Sequence, residues 1–306
     1  MMKLAAIFPG QGAQSVGMLA DIAEAHASVK AKFDVASQVL GFDLWSMVQE
    51  GPAEVLGSTE NTQPALLVAS VALWELWSAG SEKVNVMAGH SLGEYSALVC
   101  AGAMSFEDGV RLVRTRGELM QRAVPNGQGG MAAVLGLDDD AIEACCASVA
   151  GEVSAANYNA PGQVVIAGAM SAVDEAIEAC KAAGAKRALK LDVSGPFHSK
   201  LMAAAADDFS QALDAIEVVM PRIPVVQNVG ASVAKDVGEL KSNLVEQLYS
   251  PVQWTASVQS MLSQGLQQCV ECGPGNVLAG LVKRISKETP TIGLSKMAGL
   301  EAANAL

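Results

Sequence analysis

Between Val84 and Ala101 a short, mainly apolar run passes without a spacer through Gly89-His90-Ser91-Leu92-Gly93 into a helical stretch, and this junction excludes most fold classes at once. A run this short, without regular polar alternation, fits a strand covered on both faces, as in a parallel sheet flanked by helices. The two glycines remove side chains where strand and helix crowd each other. The same rhythm extends over much of the chain. Leu4 to Phe8 reads as a strand ending at Pro9-Gly10-Gln11-Gly12, and Thr62 to Ser78 as a helix with Gln63-Pro64 near its start. Ser105 to Ala123 reads as a helix, with Ser105 and Asp108 at capping-box spacing. After Ser199 come a long Ala-rich helix to Ile216, a strand Pro224 to Asn228 and a helix Glu239 to Leu248. Pro251-Val252-Gln253-Trp254 opens another helix, strand Gln267 to Cys272 ends at Gly273-Pro274-Gly275, and a helix runs from about Asn276 to Ser286. The Ala-rich tail from Lys296 reads as weakly ordered.

From Pro125 to His198 the rhythm changes. Met131 to Leu135, Val153 to Asn157, Gln163 to Ala167 and Lys186 to Val193 read as strands, with helices at Asp138 to Val149 and Ser171 to Ala183. Asn159-Ala160-Pro161-Gly162 supplies the turn between the middle strands. The order βαββαβ is ferredoxin-like. The expected architecture is therefore an α/β domain formed by 1–124 and 199–306, with a small ferredoxin-like domain at 125–198 inserted in it. Gly127-Gln128-Gly129-Gly130 and Ser194-Gly195-Pro196 would be the hinges.

Gly89-His90-Ser91-Leu92-Gly93 also has the GxSxG form of a nucleophile elbow, which exposes a serine hydroxyl beside free helix-start N–H groups. A serine needs a base to attack at neutral pH. The chain holds three histidines. His26 lies in an N-terminal helical stretch and reads as a surface residue, and His90 neighbours Ser91 on a turn where adjacent side chains point apart. His198 is left, in a loop just after Ser194-Gly195-Pro196-Phe197 and before a helix. No acid to orient its imidazole stands out; Asp192 is near in sequence, and a backbone carbonyl could take that part instead.

The helix Ser105 to Val124 carries an anomaly. At about 100° per residue, Arg111, Arg114 and Arg122 project to the solvated side, while Arg116 falls among Val110, Val113, Gly117 and Met120. A buried guanidinium needs an anion, either a buried Asp or Glu or a substrate carboxylate held by its planar fork.

The formal net charge of −12 disfavours nucleic acid and anionic membranes as partners. No stretch is long and apolar enough to span a bilayer, and no signal peptide is visible, so a cytoplasmic protein is expected. The six cysteines read as core residues. Cys269 and Cys272 form a CxxC, but no second pair or nearby histidine completes a zinc set, so no metal is expected.

Taken with Gly89 through Tyr95, a series of further segments resembles the malonyl-CoA:acyl carrier protein transacylases, the malonyltransferases of type II fatty acid synthesis. They are Phe8 to Gln14, Thr62 to Ala65, Arg114 to Gly117, Asn157 to Gln163, Gly195 to Ser199 and Gln247 to Trp254, in the same order along nearly the whole chain. The resemblance implies malonyl-CoA as donor, the phosphopantetheine of holo acyl carrier protein as acceptor, and no bound cofactor. It implies a malonyl ester on Ser91, His198 as base, Arg116 on the malonyl carboxylate, and an oxyanion hole from Gln11 and the Leu92 N–H. Gln247 would support the site, its main-chain carbonyl orienting His198. His90, Met120, Asn157 and Val277 would line the pocket, and Phe197 before the histidine resembles malonyl-selective members.

An acidic carrier meeting an acidic enzyme needs a local basic patch, for which Lys186, Arg187 and Lys190, or Lys283, Arg284 and Lys287, are candidates. A monomer is expected. Two rivals compete: an α/β-hydrolase esterase or thioesterase, which would release free malonate without an acceptor, and a non-catalytic carrier-docking module, which would form no acyl-enzyme.

Overall fold

Lys3–Phe8 forms β1, the middle strand of a sheet that organises most of the chain; the computed structural model describes residues 3–77, 83–125 and 127–306. Four short to medium helices follow: α1 (Ala20–Ala25), α2 (Ala27–Leu40), α3 (Leu44–Glu50) and α4 (Ala53–Gly57). They lead into α5 (Thr59–Trp77), β2 (Val84–Gly89), α6 (Leu92–Cys100) and α7 (Phe106–Ala123). Next come β3 (Gly129–Leu135), α8 (Asp139–Ser148), β4 (Val153–Ala160), β5 (Gln163–Ala169), α9 (Met170–Ala182) and β6 (Arg187–Lys190). A 3-10 turn at Lys200–Ala205 precedes α10 (Ala206–Asp214), β7 (Val225–Val226), α11 (Val237–Glu246) and α12 (Trp254–Ser263). The chain closes with β8 (Leu266–Glu271), α13 (Val277–Ile285), β9 (Thr291–Gly293) and α14 (Met297–Asn304).

The strands fall into two sheets. One is parallel with order β7-β2-β1-β8-β9, and the other is antiparallel with order β4-β5-β3-β6. Leu4, Ala6 and Phe8 pack into one apolar cluster and Ala5 and Ile7 into another on the opposite face, so β1 is covered on both sides by helices. The antiparallel sheet has its own core, formed with α8 and α9 around Ile142, Ile166, Val173 and Ile177. It joins the parallel part through a bridge between Asn157 and Val252, where Tyr158 N–H donates to the Val252 carbonyl at 3.0 Å.

Several boundaries differ from expectation. The helix forecast for Thr62 to Ser78 begins earlier, at Thr59, and includes Pro64, whose missing N–H leaves the Glu60 carbonyl without its intrahelical donor; Arg114 Nη1 donates to that carbonyl instead at 3.1 Å. Ser78 lies outside the described residues. The Ala-rich helix from Ser199 is broken into the 3-10 turn and α10, and the strand Pro224 to Asn228 shrinks to Val225–Val226. The tail from Lys296 is ordered, not loose. Its α14 buries Leu300 and Ala303, and the indole N–H of Trp77 donates to the Ala303 carbonyl at 3.0 Å. Arg114 is only partly solvated; it donates to Glu118 and Asn61 and lies over the Phe42 ring. CxxC cysteines Cys269 and Cys272 are buried and free.

Candidate active site

The junction between β2 and α6 sets the geometry of the site. Gly89 and Gly93 are indispensable to it: a Cβ on Gly89 would lie 1.9 Å from the Gly93 carbonyl carbon, and one on Gly93 would lie 1.9 Å from the Phe8 carbonyl oxygen. Ser91 between them takes φ 51° and ψ −109°, a backbone conformation costly for a residue with a side chain. Neighbouring groups hold it there. The Asn228 side chain accepts from Ser91 N–H at 2.7 Å and donates to the Gly89 carbonyl at 2.6 Å. Asn228 sits just past the end of β7, the strand beside β2.

His198 approaches from the loop between β6 and the 3-10 turn, also at positive φ (60°). Its Nε2 lies 2.7 Å from Ser91 Oγ, and its Nδ1 lies 2.7 Å from the Gln247 main-chain carbonyl. A carbonyl only accepts, so Nδ1 carries the proton and Nε2 presents its lone pair to the serine hydroxyl. No carboxylate takes part, and Asp192 does not reach the ring. Burial, reinforced by the nearby Arg116 charge, lowers the His198 pKa to about 3, so the imidazole is neutral near neutral pH.

Arg116 is 1% exposed. Its Nη1 donates to Gln63 Oε1 at 2.8 Å, and its Nη2 to Gln247 Oε1 at 2.9 Å and to Ser91 Oγ at 3.2 Å. The guanidinium lies 5.1 Å over the Tyr95 ring, and its Nε has no partner among the described residues. None of its hydrogen-bond partners is a carboxylate. Of the two anions open to it, a protein carboxylate in direct contact is therefore not the one present. The arrangement leaves a desolvated cation beside Ser91 Oγ, suited to an anionic group carried on that oxygen.

Ser91, His198, Arg116, Gln11, Leu92, His90, Met120, Asn157, Phe197 and Val277 all line a single cleft, with Gln63 and Asn159 among their neighbours. Gln247 lies beneath the cleft, fully buried. Gln11 donates from Nε2 to Thr59 Oγ1 at 3.4 Å. The Leu92 N–H belongs to the first turn of α6, whose donors have no intrahelical acceptor. His90 turns away from Ser91, its Nε2 2.7 Å from Asn159 Oδ1; burial lowers its pKa and holds it neutral. Reading the sequence missed Gln63, Asn159 and Asn228 as partners of these groups. Gln63 stands in a segment that carried the family resemblance, but nothing along the chain shows that it meets Arg116.

The basic residues are distributed unevenly. Lys186, Arg187 and Arg284 border one concavity together with Gly136, Pro161 and Gly162, so members of both forecast clusters meet. Arg284 donates to Gln163, which itself lines the cleft. Lys190 is instead paired with Asp174 at 2.7 Å. Leu191 and Val277, 38% and 47% exposed, line the cleft mouth. No helix among the described residues is long and apolar enough to cross a membrane, and no group of His, Cys, Asp or Glu among them could hold a metal ion.

A family model described as an acyl transferase domain matches residues 6–302. The chain is 53% identical over 306 residues to the malonyl CoA-acyl carrier protein transacylase of Salmonella typhimurium, covering 99% of each. It is 45% identical to the Bacillus subtilis protein of the same name, covering 99% of this chain and 96% of that one. Among solved structures, an acyl carrier protein S-malonyltransferase from Vibrio cholerae matches with a TM-score of 0.95 at 52% identity, covering 98% of this chain and 99% of that one. A malonyl-transacylase solved in complex with a type II PKS acyl-carrier protein matches with a TM-score of 0.97 at 50% identity, covering 99% of each chain.

Proposed function

The chain belongs to the acyl transferase domain family, and from that premise we propose that it moves a malonyl group from malonyl-CoA to the phosphopantetheine thiol of holo acyl carrier protein, supplying fatty acid elongation. The observation that carries this reading is the contact set of Ser91 Oγ: a neutral imidazole at 2.7 Å and a buried guanidinium at 3.2 Å. The first makes the oxygen nucleophilic, and the second selects an acyl group that ends in a carboxylate.

In the first half-reaction His198 Nε2 takes the Ser91 proton as Oγ bonds to the thioester carbonyl carbon. The oxyanion is received by the Leu92 N–H and Gln11. The C–S bond then breaks, His198 returns its proton to the departing thiolate, and coenzyme A leaves with malonyl esterified to Ser91. In the second half the carrier thiol loses its proton to His198 and attacks the ester carbonyl. Collapse returns the proton to Ser91 and releases malonyl carrier protein. Arg116 holds the malonyl carboxylate through both halves, while His90, Asn157, Met120, Phe197 and Val277 shape the wall around it. Every proton passes through His198, so the cycle asks for no resident cofactor or metal.

The segment 125–198 is read as an inserted ferredoxin-like domain and 1–124 with 199–306 as the catalytic domain, Ser91 occupying a nucleophile elbow at their junction. The protein acts as a cytoplasmic monomer, and the carrier docks where Lys186, Arg187 and Arg284 converge beside the cleft. The test is an assay with malonyl-CoA, with and without holo carrier protein. Acceptor-dependent release of coenzyme A and formation of malonyl carrier protein are expected. Release of free malonate at the same rate without acceptor would make the protein a thioesterase.

A further inference from the structure

Glu94, in the first turn of α6, is fully buried, yet none of its hydrogen-bond partners is a cation. Its carboxylate accepts three hydrogen bonds. Oε1 accepts from Gln227 Nε2 at 3.0 Å, and Oε2 accepts from the Asn228 main-chain N–H and from Gln247 Nε2, both at 2.8 Å. A carboxylate stripped of water and satisfied only by neutral donors is costly unless a positive charge lies near. The nearest buried cation along this network is Arg116, one side chain away: the Gln247 amide gives its N–H to Glu94 and its oxygen to Arg116. The two charges favour each other's ionised forms against the burial that opposes both.

Two of the three donors on Glu94 are themselves attached to the reacting groups. Gln247 supplies the main-chain carbonyl that fixes the His198 tautomer, and Asn228 holds the Ser91 N–H. The orientation of the Gln247 amide matters as well. Only with Nε2 toward Glu94 does Oε1 face the guanidinium, and an amide free to turn would set an N–H against Arg116.

We propose that Glu94 is a positioning residue of this site: acting through the Gln247 amide, its carboxylate is the counter-charge of Arg116, held back so that the guanidinium face beside Ser91 stays open to the carboxylate of an anionic acyl group. A direct Glu94–Arg116 ion pair would neutralise the cation but would also compete with substrate for its donors. With one neutral amide inserted, Nη2 gives a hydrogen to an uncharged oxygen instead of a carboxylate, so the guanidinium keeps its charge for the substrate and its Nε stays without a partner among the described residues. The acyl-selecting part of this inference rests on the proposed transferase reading; the charge pairing does not.

The experiment is a double-mutant cycle on the substrate-free protein, comparing melting temperatures of Glu94→Gln, Arg116→Gln and the double variant. Each single change leaves one buried charge uncompensated, so both singles are expected to melt several degrees below the wild type. The double variant should recover at least half of the larger loss. Should Glu94→Gln not fold alone, the double variant is expected to fold. Additive losses, or a double variant that fails wherever Glu94→Gln fails, would overturn the pairing. A second readout separates positioning from bulk structure: on folded Glu94→Gln, malonylation of Ser91 should raise the melting temperature more than it does in the wild type, and acetylation should not. Equal gains from both acyl groups would also overturn it. If wild-type protein accepts no malonyl group at all, the transferase reading fails while the melting cycle still stands or falls alone.

Discussion

Replacing Arg116 by alanine removes the one buried cation beside Ser91 Oγ, and the structure sets how large the effect should be. The guanidinium is 1% exposed and no protein carboxylate touches it, so a malonyl carboxylate bound there would meet a desolvated, charge-assisted partner. Breaking such a pair in a buried site costs about 3–5 kcal/mol. As lost transition-state stabilisation this is roughly a 10²–10⁴-fold fall in kcat/KM for acylation by malonyl-CoA. Acetyl-CoA brings no carboxylate. It loses only the support that Arg116 gives to Gln63, Gln247 and Ser91 Oγ, charge-assisted contacts of about 1.5–3 kcal/mol each whose loss falls on both thioesters alike. The assay is rapid-quench acylation of Ser91 read by intact mass, with the two thioesters mixed in one reaction, so that partial unfolding cancels in the ratio. The malonyl-to-acetyl ratio should collapse, mainly through loss of the malonyl rate. Equal loss on both thioesters would refute a carboxylate-binding role and make Arg116 a purely structural residue.

Other consequences follow from the same geometry. Because burial and Arg116 depress His198 to about 3, acylation should stay level as pH falls through the ordinary histidine range near 6.5, without the half-loss that a solvent-exposed imidazole would show. Stability moves with the opposite sense of protonation: the folded state resists charging His198, so this group's contribution is complete above about 6.5 and erodes between there and about 3, visible in urea melts across that window. Gly93→Ala drives a methyl group into the Phe8 carbonyl, with β1 and α6 both fixed by packing; it should abolish acylation and lower the melting temperature, whereas Gly12→Ala, which has open space but positive φ, should cost only the backbone strain, about 1–3 kcal/mol. Reversing the charge of Lys186, Arg187 and Arg284 together should raise the KM for carrier protein several-fold and leave the KM for malonyl-CoA nearly unchanged, in steady-state kinetics at low salt.

The parts of the fold that follow from local chemistry were legible along the chain. The strand–turn–helix around Ser91 announces itself because a sharp junction demands small residues on both sides, and the βαββαβ order because its elements are short and bounded by glycine, proline or asparagine. Arg116 could be found because a cation on an apolar helix face is an electrostatic anomaly. His198 was reachable by elimination, since the chain has only three histidines. What stayed hidden depends on contacts between distant segments. Asn228 meets Ser91 across 137 positions, and Gln247 meets Glu94 across 153, with no pattern in either neighbourhood that betrays the encounter. The helices α1, α3 and α4 were not resolved into separate elements because they are only 6, 7 and 5 residues long, too short for a helical period to show. The C-terminal tail was misjudged for the opposite reason: its composition is bland, and α14 is ordered by tertiary burial against Trp77, not by its own helix propensity.

The central claim is that Ser91 Oγ, activated by His198, becomes the carrier of the acyl group. Peptide mapping of protein quenched after brief exposure to malonyl-CoA addresses it directly. One malonyl ester is expected, located on Ser91, absent from Ser91→Ala, and discharged when holo carrier protein is added before the quench. A malonyl group found on any other residue, or transfer that proceeds undiminished in Ser91→Ala, would contradict the account.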